Sequence, residues 1–333
     1  MTIISPETLH AGIAAALEAS STSPENAQSV AAALTRAEID GKKGHGLSRV
    51  PSYAGQAKSG KVKGFARPEM SLPKPGVLAI DAGHGFAYPA FDLMLEELPK
   101  ITRDQGIAMA GVYRSHHYGV AGHHVEKAAD QGMVALLFGN TPAAMAPWGG
   151  KTPLFGTNPI AFAAPIKDQP PLVIDLATSK VARGNIMAAS QRGEDIPEGW
   201  ALDADGNPTT DAKSALGGTM VPLGDAKGAA LALMIEVLAA AITGAGFGYQ
   251  ATSFFDAEGD YPNVGQMMMM IDPSAMPMVS GDDFAARMAD MAGLITDDGA
   301  RLPGSGRMAK RQAAEHGIEV NDAAWQAALD LAG

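Results

Sequence analysis

From Val77 to Asp272 short apolar runs alternate with amphipathic stretches, without the strict strand–helix–strand order of a parallel sheet. Val77–Ile80, Ile107–Tyr113, Met133–Phe138, Pro159–Ala164, Leu172–Leu176 and Gln266–Asp272 read as strands. Helical spacing covers Phe91–Ile101, Gly119–Gln131 and Lys227–Ile242, the longest apolar helix signal, and then Gly281–Leu294 and Asn321–Leu331. Two helices precede them, each announced by Ser-Pro-Glu at Ser5 and Ser23: a capping hydroxyl, a proline at the first helical position and a carboxylate in the first turn. The second is expected to end near Asp40-Gly41, and the polar stretch 41–60 reads as a loop. The prediction is an α+β fold, or an irregular α/β one. At 333 residues and 46% hydrophobic content the chain has length for about two domains and a real core.

A dinucleotide is usually held where glycines let backbone approach the pyrophosphate at a helix start. Gly44-His45-Gly46, Gly244-Ala245-Gly246 and Gly304-Ser305-Gly306 each lack the third glycine, and no GxxxxGK[ST] is present. An ordinary Rossmann domain is therefore not expected, and any nucleotide must be held otherwise. A net charge of −11 without basic blocks argues against nucleic acid or an anionic membrane as partner. The start MTIISPETLHAG lacks a signal-peptide pattern and no apolar run reaches membrane-spanning length, so a cytoplasmic protein is expected.

The absence of cysteine removes thiol nucleophiles and thiolate metal sites, leaving histidine as the natural acid–base group near neutral pH. Five of the eight histidines fall in two short segments: His45, with Arg49 four positions on, and His116, His117, His123 and His124. A permanently charged Arg49 suits a bidentate grip on a carboxylate, and the same residues suit a plain polar loop. On one continuous helix the 116/123 and 117/124 pairs lie about 10 Å apart, too far for one ion, and no metal site is expected. Lys227 stands at a helix start, where the dipole disfavours a cation. It makes sense beside an anion such as phosphate, or as a solvated surface lysine. The run Met267–Met270 reads as core packing.

Seven segments, in order along the whole chain, resemble the malate/L-lactate dehydrogenase family that lacks a Rossmann fold. They are GHGLSRVPSY (44–53), SHHYGVAGHH (115–124), MAPWGGKTPLFGTNPIAFAAP (145–165), DLATSKVARGN (175–185), IPEGWALDADGNPTTD (196–211), ITGAGFG (242–248) and RLPGSGR (301–307). The resemblance implies a non-Rossmann NAD(P)-binding domain with a largely antiparallel sheet over 119–274. It further implies a helical substrate and dimerisation domain over 1–118 with 275–333, and a homodimer. NADH or NADPH and a small carboxylate substrate are implied with it. Residue by residue, it marks His117 as acid–base catalyst with His45 beside it, and Arg49 and Tyr53 as substrate contacts. Thr141, Asp175, Leu176, Ala177, Lys227, Gly304 and Arg307 fall at cofactor positions.

Two departures bear on the activity. Gly44 stands where the family usually has Ser, so a relay through that hydroxyl is absent or replaced by water. Asn185 is neither the Lys of the hydroxy-acid branch nor the Asp of the imine reductases. The leading expectation is hydride transfer between a nicotinamide and a small 2-oxo or 2-hydroxy acid. The alternative is reduction of a cyclic 2-imino acid such as Δ1-pyrroline- or Δ1-piperideine-2-carboxylate. A catalytically silent binding protein of the same descent is the third reading.

Overall fold

The computed structural model describes all 333 residues. Both Ser-Pro-Glu signals start helices where the sequence places them. In α1 (Pro6–Glu18) Ser5 Oγ accepts from Thr8 N at 3.1 Å, and in α2 (Pro24–Ile39) Ser23 Oγ accepts from Asn26 N at 3.3 Å. The stretch 41–60 is not all loop. Two tight turns lead into α3 (Val50–Ser59), whose Val50, Tyr53, Ala54 and Ala57 bury one face. The surrounding Gly, Ser and Lys residues masked that stripe in the sequence. The strand β1 (Thr2–Ile4) pairs with β12 (Ile318–Val320), and α11 (Asp322–Ala332) closes this helical layer against α1. Leu9, Ile13, Leu17, Val30, Leu34 and Tyr53 are wholly buried in its core.

The main sheet has seven strands in the order β2 (Glu69–Lys74), β3 (Val77–Asp81), β4 (Ile107–Ser115), β11 (Val264–Ile271), β5 (Val134–Gly139), β6 (Ile160–Ile166) and β7 (Gln169–Leu176). Only β3 and β4 run parallel; the remaining pairs are antiparallel, as expected for this α+β chain. The expected domain boundary after residue 118 cuts through this sheet, because β2, β3 and β4 continue its hydrogen bonding into β11. The helices α4 (Ala87–Gln105) and α5 (Ala121–Ala129) cover one face. The first is longer than its periodicity predicts, and the second begins later because Gly119 takes φ +75°. Met268 and Met270 pack beneath these helices, while Met269 packs on the opposite face against the cluster of Phe138, Ile235 and Ala239. The methionine run is a central strand buried on both sides.

A third, smaller core was not foreseen. It joins α6 (Arg183–Arg192), α7 (Ala212–Gly217) and the short strands β8 (Ala201–Leu202), β9 (Pro208–Thr209) and β10 (Thr219–Met220) to α8 (Ala226–Ile235). Its strands are two residues long, below the reach of any periodicity argument. Beyond Ile235 the helix widens into a π-turn, Glu236–Ala241, instead of running uniformly to Ile242. There the Glu236 carboxylate turns inward and accepts from Asn158 Nδ2 (2.9 Å), Asn140 Nδ2 (3.2 Å) and Gly248 N (3.0 Å). After β11, α9 (Gly281–Asp297) starts on a capping box made by Ser280 and Asp283, and α10 (Gly306–Ala314) returns to α2. No helix is long and apolar enough to cross a membrane.

Candidate functional site

The two histidine-bearing segments meet where the helical layer touches the end of β4. His116 and His117 leave that strand, while His45 and Arg49 sit in the turns before α3. The His45 and His117 rings stack with centroids 5.4 Å apart. His117 Nδ1 bonds Tyr53 Oη at 2.5 Å, and Tyr53 Oη bonds Tyr88 Oη at 3.0 Å. No protein group bonds His117 Nε2, which leaves that nitrogen for a ligand. The Phe254 ring lies tilted against that of His117, at 5.2 Å between centroids.

Arg49 is aimed by the backbone that carries His45. Its Nε donates to Gly44 O at 2.7 Å, and its guanidinium covers the Phe255 ring at 4.4 Å. Its Nη1 is buried without a partner, and a buried unpaired cationic donor is costly until an anion meets it. The turn is tight by necessity. A Cβ on Gly46 would meet the Glu38 carboxylate at 2.3 Å, and that carboxylate accepts from Leu47 N at 2.8 Å. Gly44 differs: a Cβ there meets nothing within 4 Å, so the missing hydroxyl is not excluded by space.

The electrostatics set the resting protonation. Burial, then the Arg49 charge, holds the His117 pKa well below the ordinary histidine value, so the ring is neutral at pH 7. Burial and Arg49 likewise push His45 down to about 3. Burial raises Tyr53 to about 12, so its hydroxyl stays protonated. The four clustered histidines face different neighbours. His116 lies edge-on to Phe86 with neither ring nitrogen bonded, His123 Nε2 bonds Asp40 (3.0 Å), and His124 Nε2 bonds the Tyr118 carbonyl (2.8 Å).

Most residues marked as cofactor contacts lie along one connected floor. Thr141 Oγ1 accepts from Thr157 N (3.0 Å), Thr178 N donates to Thr157 O (2.9 Å), and Leu223 N donates to Thr178 O (2.7 Å). Asp175, Leu176 and Ala177 precede Thr178 at the end of β7, and Asp175 accepts from Gly122 N at 3.0 Å, next to the start of α5. The same floor leads from Leu223 to Lys227, exposed in the first turn of α8, whose cap Asp225 offers no side-chain bond to a helix N–H. A helix start without a side-chain cap, beside a lysine, fits a phosphate.

Gly304 packs on the same strand from behind; a Cβ there would lie 2.6 Å from Val173 O. Arg307, marked at a cofactor position, is engaged by a protein group on the same strand. Its three nitrogens go to Glu126 Oε1 (2.8 Å), Gly304 O (2.8 Å) and Pro171 O (2.7 Å), which makes it an anchor of α10. Arg311 joins it, donating to both carboxylate oxygens of Asp40 (2.8 and 2.7 Å) and of Glu126 (2.6 and 2.7 Å). Tyr88, Phe254, Phe255 and Arg311 are site or framework residues the sequence did not reveal. Phe254 and Phe255 lie in an aperiodic loop, while Tyr88 and Arg311 meet the site only through the fold.

The malate/L-lactate dehydrogenase family model matches residues 4–328. The chain belongs to that family. It is 48% identical over 310 residues, 93% of this chain and 92% of the relative, to a (2R)-3-sulfolactate dehydrogenase (NADP(+)) of Chromohalobacter salexigens. Identity is 40% over 304 residues, 89% of this chain and 87% of the relative, to a Δ1-pyrroline-2-carboxylate/Δ1-piperideine-2-carboxylate reductase of Pseudomonas putida. Among solved structures, the Δ1-piperideine-2-carboxylate reductase of Pseudomonas syringae superposes with a TM-score of 0.93 at 35% identity, over 99% of this chain and 100% of that one. Members of this family are dehydrogenases and reductases, and this chain is an oxidoreductase of that kind.

Replacing Arg311 with Met leaves Asp40 and Glu126, both buried, without their main counter-ion. Arg311→Met is expected to lower unfolding free energy by about 3–5 kcal/mol in a denaturant titration. Burial alone would raise both carboxyl groups, but bonds from His123 and Arg311 hold Asp40 well below its ordinary value, and those from Arg311 and Arg307 lower Glu126. Their contribution is therefore complete above about pH 5 and is lost as pH falls through the depressed folded values. The difference between parent and variant should shrink in acid.

Proposed function

We propose that the chain reduces a small 2-oxo acid with NADH or NADPH, and oxidises the matching 2-hydroxy acid. The observation that carries this reading is the unpartnered buried Nη1 of Arg49 in the same site as a histidine whose Nε2 is free. The NADP(+) of the sulfolactate dehydrogenase relative supports the cofactor class, and Lys227 with the uncapped start of α8 is the phosphate-holding element in this reading. The nicotinamide, when bound, supplies the hydride. Arg49 grips the carboxylate so that the reacting carbonyl oxygen lies against His117 Nε2. His117 then donates its Nε2 proton as negative charge develops on that oxygen. Because the ring is neutral at rest, the imidazolium is not the starting form. A carboxylate on Arg49 cancels one of the charges that depress His117, and so strengthens the ring's hold on a proton when substrate arrives.

A second reading is favoured by that same neutrality. A cyclic imine can arrive protonated on nitrogen, needs less from His117, and is the substrate named for the Pseudomonas putida relative. We also propose a homodimer. Leu233, Met234, Val237 and Ile242 stand 39–55% exposed along one helical stretch, and a second copy is the occupant that the family resemblance implies. In functional terms 119–274 is the cofactor half, and 1–118 with 275–333 the substrate half. Cytoplasmic location, with neither nucleic acid nor membrane as partner, accords with the acidic, cysteine-free composition.

Pyruvate, oxaloacetate, 3-sulfopyruvate and Δ1-pyrroline-2-carboxylate, each with NADH and NADPH, separate the readings by which acid drives dinucleotide oxidation. On the best 2-oxo acid, His117→Ala should lower kcat by about 10²–10⁴-fold while sparing dinucleotide binding. Arg49→Met should act first through KM. The pH profile of kcat/KM should show no break near the ordinary histidine value of about 6.5. Near-normal kcat in His117→Ala on every 2-oxo acid defeats the assignment, whereas the same result on the imine alone moves it to the second reading.

Lys227→Met should weaken dinucleotide binding, read by NAD(P)H fluorescence titration, on the order of 10–100-fold. An unchanged dissociation constant returns Lys227 to the solvated surface. Light scattering should report a particle of twice the chain mass, and Leu233→Lys should shift it toward the monomer; a monomeric parent contradicts the dimer.

A further inference from the structure

Proton donation by His117 raises a difficulty that the surrounding residues resolve. A neutral imidazole that gives up its Nε2 proton becomes an anion unless Nδ1 gains a proton in the same event. Nδ1 is bonded only to Tyr53 Oη, and Tyr53 is wholly enclosed, so no water reaches either atom directly. Tyr53 Oη is in turn bonded to Tyr88 Oη, and Tyr88 lines a cleft of about 410 Å³ between α2, α4 and α5. Exposed Ala32, Asp92 and Lys127 line its mouth. The Tyr88 hydroxyl reaches its place because residue 119 is glycine; a Cβ there would stand 2.8 Å from Tyr88 Oη.

We propose that Tyr53 and Tyr88 form a proton relay that supplies His117 from this cleft, on the side of the ring away from substrate. The proposal rests on the reductase reading above. In the resting array Tyr88 donates to Tyr53 and Tyr53 donates to Nδ1, so the Nε2–H tautomer faces the substrate. As hydride reaches the carbonyl carbon, the C=O π pair becomes the lone pair that takes the Nε2 proton. The Tyr53 proton moves to Nδ1, the Tyr88 proton moves to Tyr53, and a solvent proton from the cleft replaces it on Tyr88. Three O–H or N–H bonds break within the protein and three form, the ring changes tautomer without changing charge, and the net consumption is one solvent proton. Burial holds both tyrosines above the ordinary phenol value, so each passes a proton only while receiving another. Charged side chains facing the cleft, among them Arg36, Glu126, Lys127 and Asp130 with Asp92 at its mouth, make it a polar entry.

The test is the single-turnover oxidation of NADPH by the panel acid that the parent turns over fastest, measured in mixtures of H2O and D2O. The parent should give a curved proton inventory, because several protons move together. Tyr88→Phe, which keeps the ring and removes the relay's outer hydroxyl, should slow the step by about 10–100-fold, make the inventory linear and leave substrate KM unchanged. An unaltered rate with curvature retained overturns the relay, and so does a slowed rate with curvature retained, which marks Tyr88 as positioning only. Should Tyr88→Phe fail to fold, Ala32→Leu, which narrows the mouth from the surface of α2, should slow the same step without changing KM. No effect there counts against the relay. A parent that oxidises neither dinucleotide with any acid defeats the reductase reading itself and the relay with it, whereas parental turnover with an indifferent Tyr88→Phe defeats the relay alone.

Discussion

Four hydrogen bonds from one guanidinium hold the two halves of this site in register. Arg311 reaches from α10 to the carboxylates of Asp40 and Glu126, each with both oxygens engaged. Asp40 closes α2 five residues before His45, and Glu126 lies in α5 nine residues after His117. The stacked His45 and His117 rings therefore hang from opposite carboxylates of a single ionic knot. Taking these charges from water is costly, and the knot is tolerable only because nearly every oxygen and nitrogen in it is bonded. Its return is geometric. A helix from the end of the chain fixes the separation of two turns that approach each other from different layers.

Local signals were legible in the sequence, and relations between distant residues were not. Ser5 and Ser23 act as caps because a serine before Pro-Glu can hardly do otherwise, and the four methionines make a central strand because nothing polar interrupts them. The stripe of α3 was hidden by Gly, Ser and Lys, and the small third core by strands two residues long. At the site, His117, His45, Arg49 and Tyr53 were marked by resemblance, and the fold gathers all four. Arg307 was marked by the same means, and its guanidinium binds Glu126 and two carbonyls. Tyr88 had no signal at all. Its hydroxyl meets Tyr53 across thirty-five residues of chain, and only tertiary structure makes that contact.

Burial gives the site its chemical character. His117 and His45 are kept neutral by the absence of water and by the Arg49 charge, in that order. One cation thus serves two purposes. It waits for a carboxylate with Nη1 unpaired, and while it waits it suppresses protonation of the neighbouring ring. In the proposed reaction a carboxylate on Arg49 would end both conditions together, through electrostatics over a few ångströms.

Gly44 and Asn185 bear on which carboxylate is meant. Nothing crowds a Cβ at Gly44, so its lack of a hydroxyl is not forced by packing, while its carbonyl is still used to aim Arg49. A serine there would set a hydroxyl near His45, a ring held neutral and so able to accept a hydrogen bond. Its absence leaves proton traffic to the opposite side of His117, where Tyr53 and Tyr88 already stand. Asn185 lies exposed in the first turn of α6, the helix that packs on the small third core. An amide there carries neither the positive charge of a lysine, which would attract a second anion on the substrate, nor the negative charge of an aspartate, which would favour a protonated imine. The cation that the site itself offers is Arg49, whose buried Nη1 has no partner and suits a carboxylate.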